Sequence, residues 1–189
     1  MRGPAAIMRR LESVPVFELR ATLARIVPLG DLVKNSPPDF LFSSGKPNRF
    51  NPAGIECVYF SEDEATAGLE YAQQWVGLRA GKQPAVTFHA EVRLRRVLDL
   101  TSPDTLRALK LNVPDLHRPW RGAAKPTATQ LLGKAICEHS FICAIRYPSL
   151  AATAAGESGN NVVIYRNSVK KPDSVRILGP TRKPLSKWP

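Results

Sequence analysis

Short apolar segments rich in β-branched and aromatic residues recur along this 189-residue chain. Each segment is too short for a buried helix, which is typical of β-strands. The predicted strands cover residues 20–27, 57–60, 85–92, 97–100, 141–146, 161–165 and 175–178. Helical patterns separate several of them, so the sequence predicts an α+β fold built around a mixed or antiparallel sheet.

A capping-box pattern marks the start of one predicted helix. Ser61 is followed three residues later by Glu64, and these two side chains can satisfy free N–H groups of a first helical turn. The apolar side chains at helical spacing behind them are Ala65, Leu69, Ala72 and Val76. Glu70 lies about 100° around the helix from Leu69. Its carboxylate is therefore predicted at the rim of the buried face, half-buried rather than fully solvated.

Three segments lack a regular pattern and are rich in Pro, Gly or small polar residues. They cover residues 36–54, 112–126 and 151–159. Helices are predicted to begin at Pro103 and at Thr127, on either side of the second segment. Long loops in compact domains often carry functional residues, so the first segment is a candidate part of a site.

The size and composition of the chain fit one folded domain. Hydrophobic residues make up 43% and charged residues 23%, as in ordinary globular proteins. We predict a single domain over residues 1–189, with its core in about residues 20–170 and a basic tail over residues 170–189. No apolar run approaches the roughly 18 residues of a membrane span, so a soluble, cytoplasmic protein without membrane contact is expected.

The chain is strongly basic, with 27 Lys and Arg against 16 Asp and Glu and a net charge of +11. This charge attracts anionic partners such as RNA, an acidic protein or a phosphorylated cofactor, and it does not choose among them. The cysteines Cys57, Cys137 and Cys143 are odd in number and form no C-x-x-C pair. Neither a disulfide framework nor a zinc site is predicted, and no metal is expected.

Several common enzyme motifs are missing from the sequence. It contains no G-x-G-x-x-G after a strand, no G-x-x-x-x-G-K-[ST], no H-E-x-x-H and no G-x-S-x-G. These absences argue against dinucleotide-dependent reductases, P-loop enzymes, zincins and α/β-hydrolases.

Four other motifs occur in a recognisable order. They are NRFNPAG at 48–54, YFS at 59–61, AGLE at 67–70 and IRYPS at 145–149. In this order they resemble the RES-domain family, which is named for its Arg, Glu and Ser. The similarity also includes Arg25, VLDLT at 97–101 and NNVVIY at 160–165, and it extends over about residues 20–170.

The chain departs from the family pattern at two places. Asn48 stands where the family usually has Gly before the loop arginine, and RNS at 166–168 stands where a Pro/His pair is common. Because Asn also tolerates a positive φ, the turn at Asn48 is expected to survive. The role of the second position is left open.

The resemblance implies the toxin of a bacterial toxin–antitoxin pair, with a fold like that of ADP-ribosyltransferases. NAD⁺ would be its substrate, lying in a cleft between two small sheets, and the enzyme would break the nicotinamide–ribose bond. ADP-ribose would pass to water, to phosphate or to a host enzyme, and the sequence does not decide among these acceptors. The resemblance also implies an antitoxin with a helix-turn-helix DNA-binding part. The basic charge of the chain suits an acidic antitoxin segment over the cleft, without direct nucleic-acid contact.

The same resemblance assigns the catalytic roles to Arg49, Tyr59, Glu70 and Ser149. The residues expected to bind NAD⁺ are Arg25, Lys46, Arg49, Asn51, Tyr59, Ser61 and Ser149. Nicotinamide leaves NAD⁺ as a neutral molecule, so the reaction needs no general acid and one carboxylate suffices. Glu70 is predicted to bond the ribose 2′-hydroxyl and to stabilise the sugar cation. Without the motif, Glu70 would be an ordinary solvated helix residue.

The other side chains have predicted contacts of their own. Arg25 and Arg49 offer planar donors to pyrophosphate or ribose oxygens, with Lys46 as a looser charge. Tyr59 is predicted to stack on nicotinamide, and Ser149 to bond its carboxamide or a ribose hydroxyl. Each also has a structural alternative. Arg49 would bond loop carbonyls, Tyr59 would be a core aromatic and Ser149 a turn residue.

Two other classes of function stay open. A basic ribonuclease or RNA-binding toxin would use a pair of histidines as acid and base, and the candidates are His89, His117 and His139. Nothing in the sequence brings these histidines together, so core or surface positions are expected for them. The third possibility is an interaction domain without catalytic activity. RNA binding that falls steeply with salt would favour the ribonuclease, and absent NAD⁺ turnover the interaction domain.

Overall fold

The structure of the protein, a computed structural model, describes residues 4–33, 41, 43, 45–76, 83–139 and 141–189. Its strands are β1 (Val16–Pro28), β2 (Cys57–Ser61), β3 (Ala85–Asp99), β4 (Ala144–Pro148), β5 (Asn160–Tyr165), β6 (Ser174–Leu178) and β7 (Pro184–Trp188). Its helices are α1 (Pro4–Leu11), α2 (Leu29–Leu32), α3 (Glu64–Gln73), α4 (Pro103–Leu109), α5 (Val113–His117), α6 (Ala128–His139) and α7 (Leu150–Ala154). None of these helices has the length and apolar character that crossing a bilayer requires.

The strands form one mixed sheet that closes on itself. Their order is β1-β2-β5-β4-β3-β6-β7, and β1 pairs with β3 as well as with β2. The pairing of β1 with β3 runs along almost all of β1, whereas β1 meets β2 through Ala24 and Ser61. The pair β3–β4 is parallel and the other pairs are antiparallel. The predicted α+β class is confirmed, but one continuous sheet stands where the resemblance implied two small ones.

Alternating side chains of the sheet serve two hydrophobic cores. Val58 and Phe60 of β2 belong to a core built by residues of β1 to β6. Cys57 and Tyr59 point the other way, into a core that includes residues of α1, α4 and α6. This alternation follows from the two-residue repeat of a strand. Side chains at odd-numbered positions of β2, β4 and β5 therefore lie on the helix-covered face.

β3 joins two segments that the sequence predicts as separate strands, 85–92 and 97–100. The charged residues between them interrupt the apolar pattern but not the strand. Arg93 and Arg95 are exposed, while Leu94 between them is fully buried. The alternation of a half-buried strand thus continues through the arginines.

Three elements lie in the segments that the sequence predicts to be irregular or to form the basic tail. α5 falls within residues 112–126, and β7 falls within the basic tail. α7 begins one residue before the segment 151–159 and covers its first half. α5 starts at a capping box made by Asn112 and Asp115. Such short helices depend on local caps rather than on apolar periodicity, so no helical pattern of apolar residues marks them in the sequence.

The start of α3 differs from its prediction. Asp63 caps the helix, and its Oδ1 accepts from the backbone N of Thr66 at 2.7 Å. The two residues of the predicted capping box bond elsewhere. Ser61 donates to the side chain of Asn161, and Glu64 contacts His89.

The apolar face predicted for α3 is wrong, although the position of Glu70 is right. Ala65 and Ala72 are exposed, and Val76 is 78% exposed and lies beyond the helix. The buried residues are Thr66, Ala67 and Tyr71. Glu70 lies beside that face and is half-buried, as predicted.

Candidate functional site

A cleft of about 310 Å³ opens between α3 and residues of β1, β2, β4 and β5. The side chains that line it include Arg25, Arg49, Tyr59, Ser61, Glu70, Tyr147 and Asn161. Five of these, Arg25, Arg49, Tyr59, Ser61 and Glu70, are site residues predicted from the sequence. The structure therefore brings most of the predicted set into one cavity. Lys46, Asn51 and Ser149 do not line it.

Glu70 is held in this cleft by two neutral donors. Its Oε1 accepts from Ser149 Oγ at 2.7 Å and from Asn161 Nδ2 at 2.6 Å. Asn161 is oriented in turn by Ser61, whose Oγ donates to Asn161 Oδ1 at 2.8 Å. Within the described ranges, nothing donates to the second carboxylate oxygen, Oε2. One oxygen of Glu70 thus fixes the side chain, and the other is available to a ligand.

Ser149 acts on Glu70 rather than on the open space. It is fully buried, and its Oγ accepts from the backbone N of Ala152 at 3.1 Å, which caps α7. The single hydroxyl proton goes to Glu70. No proton is left for the ligand contact that the sequence predicts for Ser149. Its place in the site is to position the carboxylate.

The loop that carries Arg49 is a tight turn. Asn48 and Asn51 exchange backbone hydrogen bonds, with N–O distances of 2.8 and 3.3 Å. Asn48 is not among the described residues with positive φ. The turn therefore forms without the left-handed conformation that the usual Gly would allow, and replacement of Gly by Asn costs no backbone strain here.

Arg49 uses one end of its guanidinium to hold this turn against α5. Its Nη1 donates to the carbonyl of Leu116 at 2.5 Å and to that of Arg118 at 3.5 Å. Arg49 thus bonds loop carbonyls, which the sequence analysis gives as the structural alternative to a role in binding. Because a guanidinium has five N–H donors, Nη2 and Nε are still free to bind a ligand in the cleft.

The hydroxyl of Tyr59 braces the same turn from β2. It donates to Asn51 Oδ1 at 2.8 Å and accepts from the backbone N of Phe50 at 3.0 Å. Burial raises the pKa of Tyr59 well above its usual range, so the phenol stays protonated. Its ring lines the cleft, but its hydroxyl is already used on both sides.

Residues of α6 and β5 complete the support of the turn. Gln130 Nε2 donates to the carbonyl of Asn48 at 3.0 Å, and Tyr165 donates to that of Phe50 at 2.8 Å. Gly133 allows this approach, because a Cβ there would lie 1.7 Å from the carbonyl oxygen of Phe50. The backbone that presents Arg49 is thus fixed by three elements of the fold.

The remaining predicted residues have different surroundings. Arg25 lines the cleft, and its Nη1 donates to the carbonyls of Leu41 at 2.8 Å and Tyr59 at 3.1 Å. Burial lowers the pKa of Arg25.

Lys46 is exposed, and Asn51 is fully buried, with its side-chain amide donating to three loop carbonyls. Asn51 therefore shapes the loop, and the NAD⁺ contacts predicted for Lys46 and Asn51 have no support in the cleft geometry.

Comparison with known proteins gives the family. A family model described as RES domain matches residues 22–185 of the chain. The chain belongs to the RES domain family. A comparison with curated proteins finds no match. Among solved structures, a chain of the "Crystal structure of the M.tuberculosis MbcT-MbcA toxin-antitoxin complex" is similar, with a TM-score of 0.60, 16% identity and coverage of 96% of this chain and 90% of that chain. At this identity the likeness shows a common fold.

Other cleft residues of this RES domain were not identified from the sequence. Asn161 lies in the motif NNVVIY and Tyr147 in the motif IRYPS, but the family resemblance implies no role for either residue. The alternation of β4 and β5 could have placed both on the face of Tyr59. Trp120 and Arg121 also line the cleft, and the guanidinium carbon of Arg121 lies 4.7 Å from the centre of the Trp120 ring. They belong to a segment predicted as irregular, where no pattern pointed to them.

The cysteines of the RES domain are free. Burial raises the pKa of Cys57 to about 11 and that of Cys143 to about 12. Burial also raises the pKa of Cys137. Thiols with such pKa values are protonated at neutral pH and react slowly as nucleophiles.

Proposed function

We propose that this RES domain breaks the nicotinamide–ribose bond of NAD⁺ as the toxin of a toxin–antitoxin pair. The observation that carries the proposal is the state of Glu70. Its carboxylate is fixed through Oε1 by Ser149 and Asn161, has no cationic partner in the described part of the chain, and presents Oε2 to a cleft. A cation that develops in this cleft would meet a preorganised negative charge.

The chemistry of the substrate matches one such carboxylate. Nicotinamide is bound to ribose as a cation and departs as a neutral ring, so no side chain has to protonate the leaving group. Positive charge then grows on the ribose ring, as it does in glycoside hydrolysis. Glu70 would stabilise that charge and accept a hydrogen bond from the ribose 2′-hydroxyl through Oε2. Donors already fixed by the fold lose little free energy to reorganisation during the reaction.

Arg25 and Arg49 are the groups suited to the anionic part of NAD⁺. Both line the cleft, and both use Nη1 on backbone carbonyls, which leaves Nε and Nη2 for pyrophosphate oxygens. Held arginines lose less conformational entropy on binding than free ones. The arginines would thus hold the pyrophosphate of NAD⁺ while its ribose lies at Glu70. NAD⁺ would lie in this cleft as it does in ADP-ribosyltransferases.

The antitoxin and the acceptor belong to the same proposal. The similar solved structure is that of a toxin–antitoxin complex, which supports a protein partner for this chain. We propose an antitoxin with a helix-turn-helix part and an acidic segment over the cleft, acting in the cytoplasm. ADP-ribose would pass to a host enzyme, to phosphate or to water. Equal NAD⁺ turnover with and without the product of the neighbouring gene would contradict the proposal that this product is an antitoxin covering the cleft.

NAD⁺ labelled in its adenosine part tests the reaction and the acceptor together. The purified protein is incubated with the labelled NAD⁺, with and without cell extract, and free nicotinamide is measured. We expect release of nicotinamide. Label on a protein band identifies protein transfer, while free ADP-ribose or its phosphate identifies water or phosphate as the acceptor. Release of no nicotinamide under either condition would overturn the proposal.

The ribonuclease alternative gains no support from the two histidines whose side chains the structure describes. His89 is buried in β3, with Nε2 2.7 Å from Glu64 Oε1. His117 ends α5, and burial and the charge of Arg49 lower its pKa. His117 lines a second cleft beside α5, and His89 is not among the residues that line it. The side chain of His139 lies outside the described part.

A further inference from the structure

Three tyrosines project from neighbouring strands onto the helix-covered face of the sheet. They are Tyr59 of β2, Tyr147 of β4 and Tyr165 of β5. Two of the three hydroxyls are occupied by the turn that carries Arg49. Tyr59 bonds Asn51 and Phe50, and Tyr165 bonds the carbonyl of Phe50. Tyr147 is different.

The ring of Tyr147 is fixed, but its hydroxyl has no partner in the described part of the protein. The side chain is 7% exposed, and its ring packs against that of Phe50 with 4.4 Å between the centroids. Tyr147 lines the cleft. Among the described residues, the hydroxyl of Tyr147 is not one of the fully buried side-chain polar atoms that lack a hydrogen-bond partner. It therefore reaches the open space of the cleft.

The neighbours of Tyr147 are the groups of the proposed reaction. Its backbone pairs with Asn161, which donates to Glu70. Burial raises the pKa of Tyr147, the negative charge of Glu70 raises it further, and Arg49 and Arg25 oppose this effect. The phenol is thus a protonated donor that lies among Glu70, Arg49 and Arg25. Because this hydroxyl opens onto the cleft and has no partner in the described part of the protein, it can donate to a ligand oxygen without breaking an existing hydrogen bond.

We propose that Tyr147 is the tyrosine that contacts the substrate, donating a hydrogen bond from its hydroxyl to an oxygen of the nicotinamide ribose held at Glu70. Tyr59, to which the sequence assigns a catalytic role, is a positioning residue, because its hydroxyl is used to hold the Arg49 turn. This division of roles rests on the proposed NAD⁺ cleavage. The proposed contact of Tyr147 with the substrate is not evident from the sequence motifs, in which Tyr147 could equally be a core residue.

Two matched variants, Tyr147→Phe and Tyr59→Phe, separate the roles, since each removes one oxygen and keeps the ring. For Tyr147→Phe we expect kcat/KM for NAD⁺ to fall about 10-fold, the scale of one hydrogen bond, with an unchanged Tm. ADP-ribose, which keeps this ribose, should raise the Tm of the variant less than that of the wild type. For Tyr59→Phe we expect a Tm lower by about 5 °C, because the partners of its hydroxyl are buried.

The outcomes keep the two proposals apart. If the wild type consumes NAD⁺ and Tyr147→Phe matches it in kcat/KM and in stabilisation by ADP-ribose, the contact is refuted and the reaction stands. If Tyr147→Phe lowers the Tm as much as Tyr59→Phe does, Tyr147 is structural and the inference is wrong. A wild type that consumes no NAD⁺ removes the proposed reaction, and the assigned contact with it.

Discussion

Two glutamates near one corner of the sheet, Glu62 and Glu70, are treated in opposite ways by the fold. They accept hydrogen bonds from adjacent residues of β5, Glu62 from Asn160 and Glu70 from Asn161. Glu62 also receives two bonds from Arg146, at 2.7 and 3.0 Å. These bonds raise the pKa of Arg146. Glu70 has neutral donors in place of that arginine.

The difference between the two carboxylates shows that the negative charge of Glu62 is neutralised by an arginine and that of Glu70 is not. The bidentate arginine uses both oxygens of Glu62, so that this carboxylate joins strands and has little left for a ligand. Neutral donors orient Glu70 without cancelling its charge. The nearby arginines of the cleft, Arg25 and Arg49, direct Nη1 to backbone carbonyls instead of to Glu70. One carboxylate thus serves stability, and the other is suited to chemistry.

The largest expected effect comes from Glu70→Gln, which removes the charge and keeps the shape. We expect NAD⁺ turnover to fall at least about 100-fold, the scale on which preorganised charges act in active sites. The Tm should be unchanged, since an amide oxygen can still accept from Ser149 and Asn161. Nicotinamide release and thermal unfolding of the purified variant measure both quantities. Full turnover in Glu70→Gln would remove the contrast between the two glutamates.

Glu62→Gln should show the reverse pattern. It removes the closer of two charged partners of the Arg146 guanidinium, whose Nη1 still lies 3.4 Å from Asp99 Oδ2. Both side chains are less than a third exposed, 23% for Glu62 and 25% for Arg146. We expect the free energy of unfolding to fall by about 1–3 kcal/mol. NAD⁺ turnover at a temperature below unfolding should stay near that of the wild type. Denaturant unfolding tests the first statement, and a large loss of turnover would show that Glu62 also serves the reaction.

The adjacent asparagines offer a closer comparison. Asn161→Ala removes one of the two donors to Glu70 Oε1, and we expect about a 10-fold loss of turnover, the scale of one hydrogen bond to a charged group. Asn160→Ala removes a donor from Glu62 instead, and its turnover should match that of the wild type. Steady-state rates of the two variants, measured side by side, check this. Equal losses would mean that the corner acts as one unit.

The smallest effect is expected for Ser149→Ala, with Ser102→Ala as its control. Both serines cap a helix, Ser149 at α7 and Ser102 at α4, so each change should cost about 1 kcal/mol of stability. Only Ser149 also donates to Glu70, and a several-fold loss of turnover is therefore expected for Ser149→Ala alone. Unfolding curves and rates for both variants test this. A similar loss of turnover in Ser102→Ala would trace it to helix stability.

Parts of the fold with a strong local pattern were predictable from the sequence. The strands at 57–60, 161–165 and 175–178 and the helix after Thr127 are confirmed by β2, β5, β6 and α6. Apolar alternation and a capping threonine carry enough information for such elements. The closure of the sheet through β1 was not predictable, because it depends on pairing between distant strands.

The candidate site was predictable as a set of residues but not as an arrangement. The family motifs gave Arg49, Tyr59, Glu70 and Ser149. They do not indicate that Ser149 donates its hydroxyl proton to Glu70, or that the hydroxyl of Tyr59 is hydrogen-bonded to the Arg49 turn. Hydrogen bonds that form only in the folded chain decide these points, across 79 residues for Ser149 and Glu70 and across 8 for Tyr59 and Asn51. Residue type alone leaves them open. Tyr147 was missed for the same reason.

The two donors to Glu70 lie 79 and 91 residues away along the chain. While the protein is being synthesised, a fragment that ends before Asn161 lacks one donor and most of β5. The carboxylate of Glu70 is therefore not held by both donors until nearly the whole chain has left the ribosome. A translation product that stops before Asn161 is therefore expected to lack the arrangement on which the proposed reaction rests.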